Sequence, residues 1–198
     1  SLVNNHYRQT IISLQDKINP AYKINIEIKV FNDGLAFRYL FPKQHDKISF
    51  VLLDEKTQFK FLTDPVIKAL PLPNFTSSHE GFYITTPLSK LFEDTLLDMP
   101  VLFQFPNKIF MAITEAALLD YAGMYLIKRN GILTSQLSPL PNQTAIKVKA
   151  TLPHKSPWRV FLISDRIGAL VESNIITSLN EPSKIKNTSW LQPGTTTF

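Results

Sequence analysis

The chain has no cysteine, so neither a disulfide framework nor a thiolate metal site can be built from it. That absence leaves the compartment open. Glycine is scarce, at six in 198 residues, and no cluster of it is available to cradle a phosphate. Gly-x-Ser-x-Gly is missing, and with it the elbow of the common serine hydrolases. The four histidines His6, His45, His79 and His154 are scattered, no pair has helical ligand spacing, and no HExxH occurs. A self-contained zinc site is therefore not expected. No apolar run reaches the length of a membrane span, and no internal repeat, coiled coil or low-complexity tract is present.

What is present describes a globular β protein. Hydrophobic residues make up 44% and charged residues 19%, which excludes wholesale disorder and allows a sizeable core. Fourteen Phe and fourteen Pro favour short strands joined by proline-punctuated loops. The net charge of +5 invites a nucleic-acid reading. The basic residues are spread along the chain, however, with no recognition helix or aromatic RNA-binding signature, so no nucleic-acid partner is expected.

The clearest local signal is a hairpin. Ile24, Ile26, Ile28 and Val30 alternate with Asn25, Glu27 and Lys29, and Leu35, Phe37, Tyr39 and Phe41 alternate after the turn. Between them Phe31-Asn32-Asp33-Gly34 offers residue types that tolerate positive φ. One apolar face on such a hairpin demands a covering layer. A second hairpin is predicted over 124–129 and 132–137, its turn carried by Asn130-Gly131. Further strands are expected at 7–14, 48–53, 58–62, 99–103, 109–115, 146–152, 158–164 and 175–179. An irregular loop is expected at 65–75, a helical turn at 86–97 and another at 165–170. About ten or more short strands with almost no helix point to an antiparallel sandwich.

Carboxylates are the remaining candidates for chemistry. Glu80 lies in the polar run Ser78-His79-Glu80-Gly81-Phe82-Tyr83, where a lone carboxylate reads as solvated. Glu115 and Asp120 end a strand amid small and apolar residues, and a carboxylate there needs a partner, for which Arg159 is a candidate. These residues read either as a buried pair tying strands together, the favoured reading, or as a catalytic acid. Pro157-Trp158-Arg159 reads as a packing corner or as a sugar platform built on Trp158.

Five segments, taken in order, resemble a known pattern. They are His6-Tyr7, Phe31-Asn32-Asp33-Gly34-Leu35-Ala36-Phe37-Arg38-Tyr39, Thr114-Glu115-Ala116-Ala117-Leu118-Leu119-Asp120-Tyr121, Ser156-Pro157-Trp158-Arg159 and Leu179-Asn180-Glu181-Pro182, the last leading to Ser189-Trp190-Leu191-Gln192-Pro193-Gly194. Together they are similar to the N-terminal domain of glycoside hydrolase family 97, the α-glucosidases and α-galactosidases common in Bacteroidetes.

The resemblance implies an all-β fold, a large antiparallel β-sandwich of the galactose-mutarotase-like type. It implies that residues 1–187 are that sandwich and residues 188–198 a linker toward a catalytic (β/α)8 barrel in cis. With no initiator Met and no signal peptide, the chain is expected to be a piece of a longer polypeptide, beginning roughly a hundred residues into the sandwich. The resemblance implies an oligosaccharide substrate and a periplasmic or secreted location. It also implies Ca2+, with Glu80 as one ligand and the others supplied by the barrel. The general acid and the base or nucleophile would also come from the barrel. Glu115, Asp120, Trp158 and Arg159 are assigned structural roles. Two rival readings are a stand-alone carbohydrate-binding module, with Trp158, Tyr83 and Phe82 as its platform, and a structural interaction domain.

Overall fold

The computed structural model describes residues 5–44 and 46–195. Its strands are β1 (Arg8–Gln15), β2 (Lys23–Phe31), β3 (Gly34–Phe41), β4 (Ser49–Leu52), β5 (Gln58–Phe59), β6 (Val66–Ala69), β7 (Pro71–Leu72) and β8 (Ile84–Pro87). After a 3-10 turn at Leu88–Lys90 come β9 (Leu96–Leu97), β10 (Val101–Gln104), β11 (Phe110–Ala116), β12 (Met124–Arg129), β13 (Ile132–Leu137), β14 (Val148–Thr151), β15 (His154–Lys155) and β16 (Trp158–Ser164). Two short helices follow, α1 (Ile167–Glu172) and α2 (Ile175–Leu179).

The strands form an antiparallel sandwich. The larger sheet runs β1-β2-β3-β16-β11-β10-β6-β8, with β15 beside β3, and the smaller runs β5-β13-β12-β9-β7. Between them lies the main core, including Phe59, Ile67, Leu97, Val101, Phe103, Ile113, Leu126 and Leu133. Each such side chain contributes about 1.5–3 kcal/mol by leaving water. On the outer face of the larger sheet, α1 and α2 lay Leu170, Ile175 and Leu179 onto Ala36, Ala112, Trp158, Val160 and Leu162. β16 is thus covered on both faces, which is why Trp158-Arg159-Val160-Phe161-Leu162-Ile163 reads as a nearly unbroken apolar run.

The two hairpins use glycine for different reasons. In β12–β13 the turn residues Asn130 and Gly131 have φ of 50° and 76°, the double left-handed geometry of a two-residue hairpin. In β2–β3 neither Asn32 nor Asp33 has positive φ, so the sequence-based expectation for that turn is corrected. Gly34 is instead required by space. A Cβ there would lie 2.1 Å from the Phe161 carbonyl oxygen and 2.9 Å from Ile175 Cδ1. The close approach lets β3 pair with β16 over Gly34↔Leu162 to Phe37↔Arg159.

Other expectations are also revised. Residues 65–75 are not an irregular loop, because Ile67, Ala69, Leu70 and Leu72 are buried from β6, β7 and the residue between them. Residues 175–179 form a helix rather than a strand. Ile175 and Leu179, four apart, both face the outer core, so burial overrides the β-branched local preference. The helical turn expected over 86–97 shrinks to Leu88–Lys90. Within β2 the most buried residue is Glu27, held by Arg38 Nε at 2.6 Å and Gln9 Nε2 at 2.8 Å. The apolar face of β1 and β2 is only partly covered, and none of their described residues enters the main core.

Gly34→Ala is expected to cost at least about 3 kcal/mol, because the added carbon meets backbone that cannot yield. Gly131→Ala, with nothing within 4 Å of its Cβ, carries only the left-handed backbone cost of about 1–2 kcal/mol. Chemical denaturation of the two variants checks the order.

Candidate functional site

Arg159, on β16, has no exposed surface at all. A buried guanidinium must be paired, and this one is paired twice. Its Nε donates to Glu55 Oε1 at 3.0 Å and its Nη2 to Glu55 Oε2 at 2.5 Å, a bidentate fork. Its Nη1 donates to Glu115 Oε1. Glu115 stands directly opposite Arg159 in the β11–β16 register, so the ladder itself brings the two together.

Secondary partners extend the cluster into the smaller sheet. Glu115 Oε2 accepts from the Met124 amide at 2.8 Å. Thr57 Oγ1 donates to Glu55 Oε1 at 2.9 Å and lies 2.8 Å from the Tyr39 hydroxyl. Ser135 Oγ donates to the Glu55 carbonyl at 2.6 Å. Burial works against the charge on Arg159, but Glu55 and Glu115 outweigh it and push the guanidinium above its ordinary value. Glu115 is the second carboxylate on a single cation. Burial raises its carboxyl above the usual glutamate range, despite the opposing pull of Arg159 and the Met124 amide.

The other sequence-predicted residues go to different places. Trp158 is 1% exposed and packs in the outer core, with the Arg38 guanidinium 4.2 Å from its ring centre. Buried there, it cannot serve as a sugar platform, which removes the central residue of the carbohydrate-binding-module reading. Asp120 does not join Arg159. It is exposed in a left-handed conformation with φ of 50°, and it is the Asp120 carbonyl that meets His154 Nε2 at 3.2 Å.

Glu80 lies in the loop between β7 and β8 and is exposed. Among the described residues no hydrogen bond or ion pair holds its carboxylate. Phe82 and Tyr83 beside it are 95% and 66% exposed. The expected crossing toward a further domain is exposed and irregular as far as Thr195, and residues 196–198 lie outside the described residues.

Sequence reasoning missed Glu55. It sits in Leu53-Asp54-Glu55-Lys56-Thr57, a charged stretch with no strand or helix and no periodic pattern to mark one residue as internal. The only available signal was indirect: a buried arginine fork needs more acceptor oxygens than Glu115 alone supplies.

Arg159→Lys is expected to destabilise the protein by about 3 kcal/mol or more, since an ammonium cannot form the fork and leaves buried carboxylate unpaired. Equilibrium unfolding measures this. The raised Glu115 carboxyl makes the folded state hold its proton more tightly than the unfolded state. Its stabilising contribution is complete below about pH 4.3, the ordinary glutamate value, and is lost as pH rises through the raised value. The stability of Glu115→Gln relative to the parent should therefore climb across that window and then level off. A parallel pair of stability–pH curves would contradict the assignment.

Comparison with known proteins agrees with this architecture. The family model described as Glycosyl-hydrolase 97 N-terminal matches residues 1–182. A retaining alpha-galactosidase from Bacteroides thetaiotaomicron is 27% identical over 197 residues, taking in 86% of this chain and 29% of its own length. A probable retaining alpha-galactosidase from Streptomyces bingchenggensis is 23% identical over 175 residues, taking in 87% of this chain and 25% of its own. Among solved structures, a variant of a glycoside hydrolase family 97 enzyme from a Pseudoalteromonas species gives a TM-score of 0.87 at 29% identity, over 97% of this chain and 28% of that one. The chain thus spans less than a third of the length of these relatives. With its family model matched from residue 1 to residue 182, the chain belongs to the glycosyl-hydrolase 97 N-terminal family.

Proposed function

We propose that this chain is the non-catalytic sandwich of a glycoside hydrolase acting on α-glycosidic bonds, and that Glu80 lends one carboxylate to a calcium ion beside the substrate. Two relatives carry alpha-galactosidase names, and family 97 structures from the Pseudoalteromonas species hold acarbose and panose. These favour an oligosaccharide substrate for the whole protein. The two carboxylates that such hydrolysis needs would come from a barrel in cis.

One observation carries the reading of this chain's own part: a carboxylate exposed, unpartnered and flanked by two exposed aromatics. Acidic side chains parked for stability find a cation or an amide, as Glu27, Glu55 and Glu115 do. Calcium takes six to eight oxygens. Among the described residues no group of three or more His, Asp or Glu could hold a metal, so the donor set here fits a single ligand of a shared site. When bound, calcium would supply positive charge next to the sugar oxygens. Glu80 would hold the ion from the sandwich side, and Phe82 and Tyr83 would exclude water around it.

The isolated chain is expected to bind calcium no tighter than about 1 mM, as a lone carboxylate should. In the natural full-length polypeptide, Glu80→Gln should weaken calcium binding at least about tenfold by removing a charged ligand. Calorimetric titration of both proteins measures this. Tight binding by the isolated chain, or unaltered affinity in the variant, would refute the reading.

A further inference from the structure

Residues 73–83 contain no helix or strand, yet the loop is fastened at three points. The Phe75 ring meets Tyr125 edge-on, with centroids 5.2 Å apart. His79 Nδ1 donates to Asp98 Oδ2 at 2.8 Å, and the His79 ring lies 6.1 Å from Tyr125. Gly81 approaches Leu70 so closely that an added Cβ would come within 2.9 Å of Leu70 Cδ1. Glu80 sits between the second and third of these fastenings.

The middle one is anchored in turn. Asp98 directly follows β9, an inner strand of the smaller sheet. Its amide donates to the Leu70 carbonyl at 2.9 Å, and its Oδ1 accepts from the Met99 amide at 2.9 Å. One carboxylate oxygen therefore fixes the Asp98 side chain while the other holds His79. His79 itself has φ of 59°, a conformation uncommon for a residue with a Cβ and sustained only where the surroundings impose it. The His79 side chain reaches Asp98 on the sandwich, and the next residue, Glu80, is exposed to solvent.

We infer that His79 and Asp98 are a positioning pair that holds the Glu80 carboxylate ready for calcium, an inference that rests on the reading of Glu80 above. A ligand on a free loop must lose backbone freedom when it binds, whereas one already fastened loses less. Hydrogen-bond partners that orient a metal ligand from outside the coordination sphere matter for the same reason. Neither His79 nor Asp98 touches the ion in this scheme; both act through the backbone of the loop.

The test uses the natural full-length polypeptide, with calcium chloride as titrant in calorimetry and calcium-free thermal unfolding of the same samples. Asp98→Ala and His79→Ala should each weaken calcium binding about tenfold, the usual cost of losing an outer partner. The calcium-free Tm of His79→Ala should hardly move, since His79 is exposed and loses only its bond to Asp98, whereas Asp98→Ala also frees the Met99 amide and is expected to lower it. His79→Asn should bind close to the parent affinity, because asparagine tolerates the left-handed backbone and its amide can donate toward Asp98. If Glu80→Gln weakens binding while Asp98→Ala and His79→Ala do not, the positioning pair is overturned and Glu80 stays a ligand. If Glu80→Gln binds as tightly as the parent, both readings fall. Should Asp98→Ala unfold, the two His79 variants decide alone: equal weakening in both refutes the hydrogen bond as the cause.

Discussion

The interior of this sandwich depends on the buried charge of Arg159. Arg159 could not stay in an apolar core unless carboxylates neutralised it, and Glu55 and Glu115 could not stay there without Arg159. The attachments of those carboxylates join the two layers. Glu115 belongs to the larger sheet and takes an amide from β12 of the smaller. Glu55 lies on the loop into β5, takes the Ser135 hydroxyl from β13 through its carbonyl, and connects through Thr57 to Tyr39 on β3. The hydrophobic effect that drives the two layers together is non-directional. The fork on Arg159 is directional and fixes their register.

The glutamates of the core and of the loop at 73–83 differ in setting. Glu27, Glu55 and Glu115 are turned inward and bonded to a cation or an amide. Glu80 is outward and unbonded, in a loop whose shape is determined by residues on either side of it. The division places the proposed ligand where changing it should not disturb the core.

Much of the architecture can be read from alternation and turns. The β12–β13 hairpin follows from Asn130-Gly131, and β16 coincides with the stretch predicted over 158–164. Strand β11 and the pairing of Glu115 with Arg159 follow from one carboxylate and one arginine amid apolar residues. The failures have common physical origins. Three prolines at 65–75 suggested a loop, but proline tolerates short strands at sheet edges and ends, and the buried Ile67 and Leu72 won. Ile175-Ile176 suggested a strand until tertiary burial chose the helical face. Gly34 looked like a turn residue because nothing in the local sequence announces a neighbouring strand more than a hundred residues away. Glu55 was invisible for the same reason, and the fastening of the loop at His79 involves Asp98, 19 residues on and just past β9.

The pairing of β3 with β16 also sets the order of events during synthesis. The strand that completes the centre of the larger sheet leaves the ribosome about 120 residues after the one it must join, so early strands wait, with a half-covered apolar surface, for a late arrival. Topology of this kind folds slowly and exposes nascent chains to mispairing. The lysines and arginines spaced along β1 and β2, at Arg8, Lys23 and Lys29, put charge on those waiting strands, where it opposes edge-to-edge association.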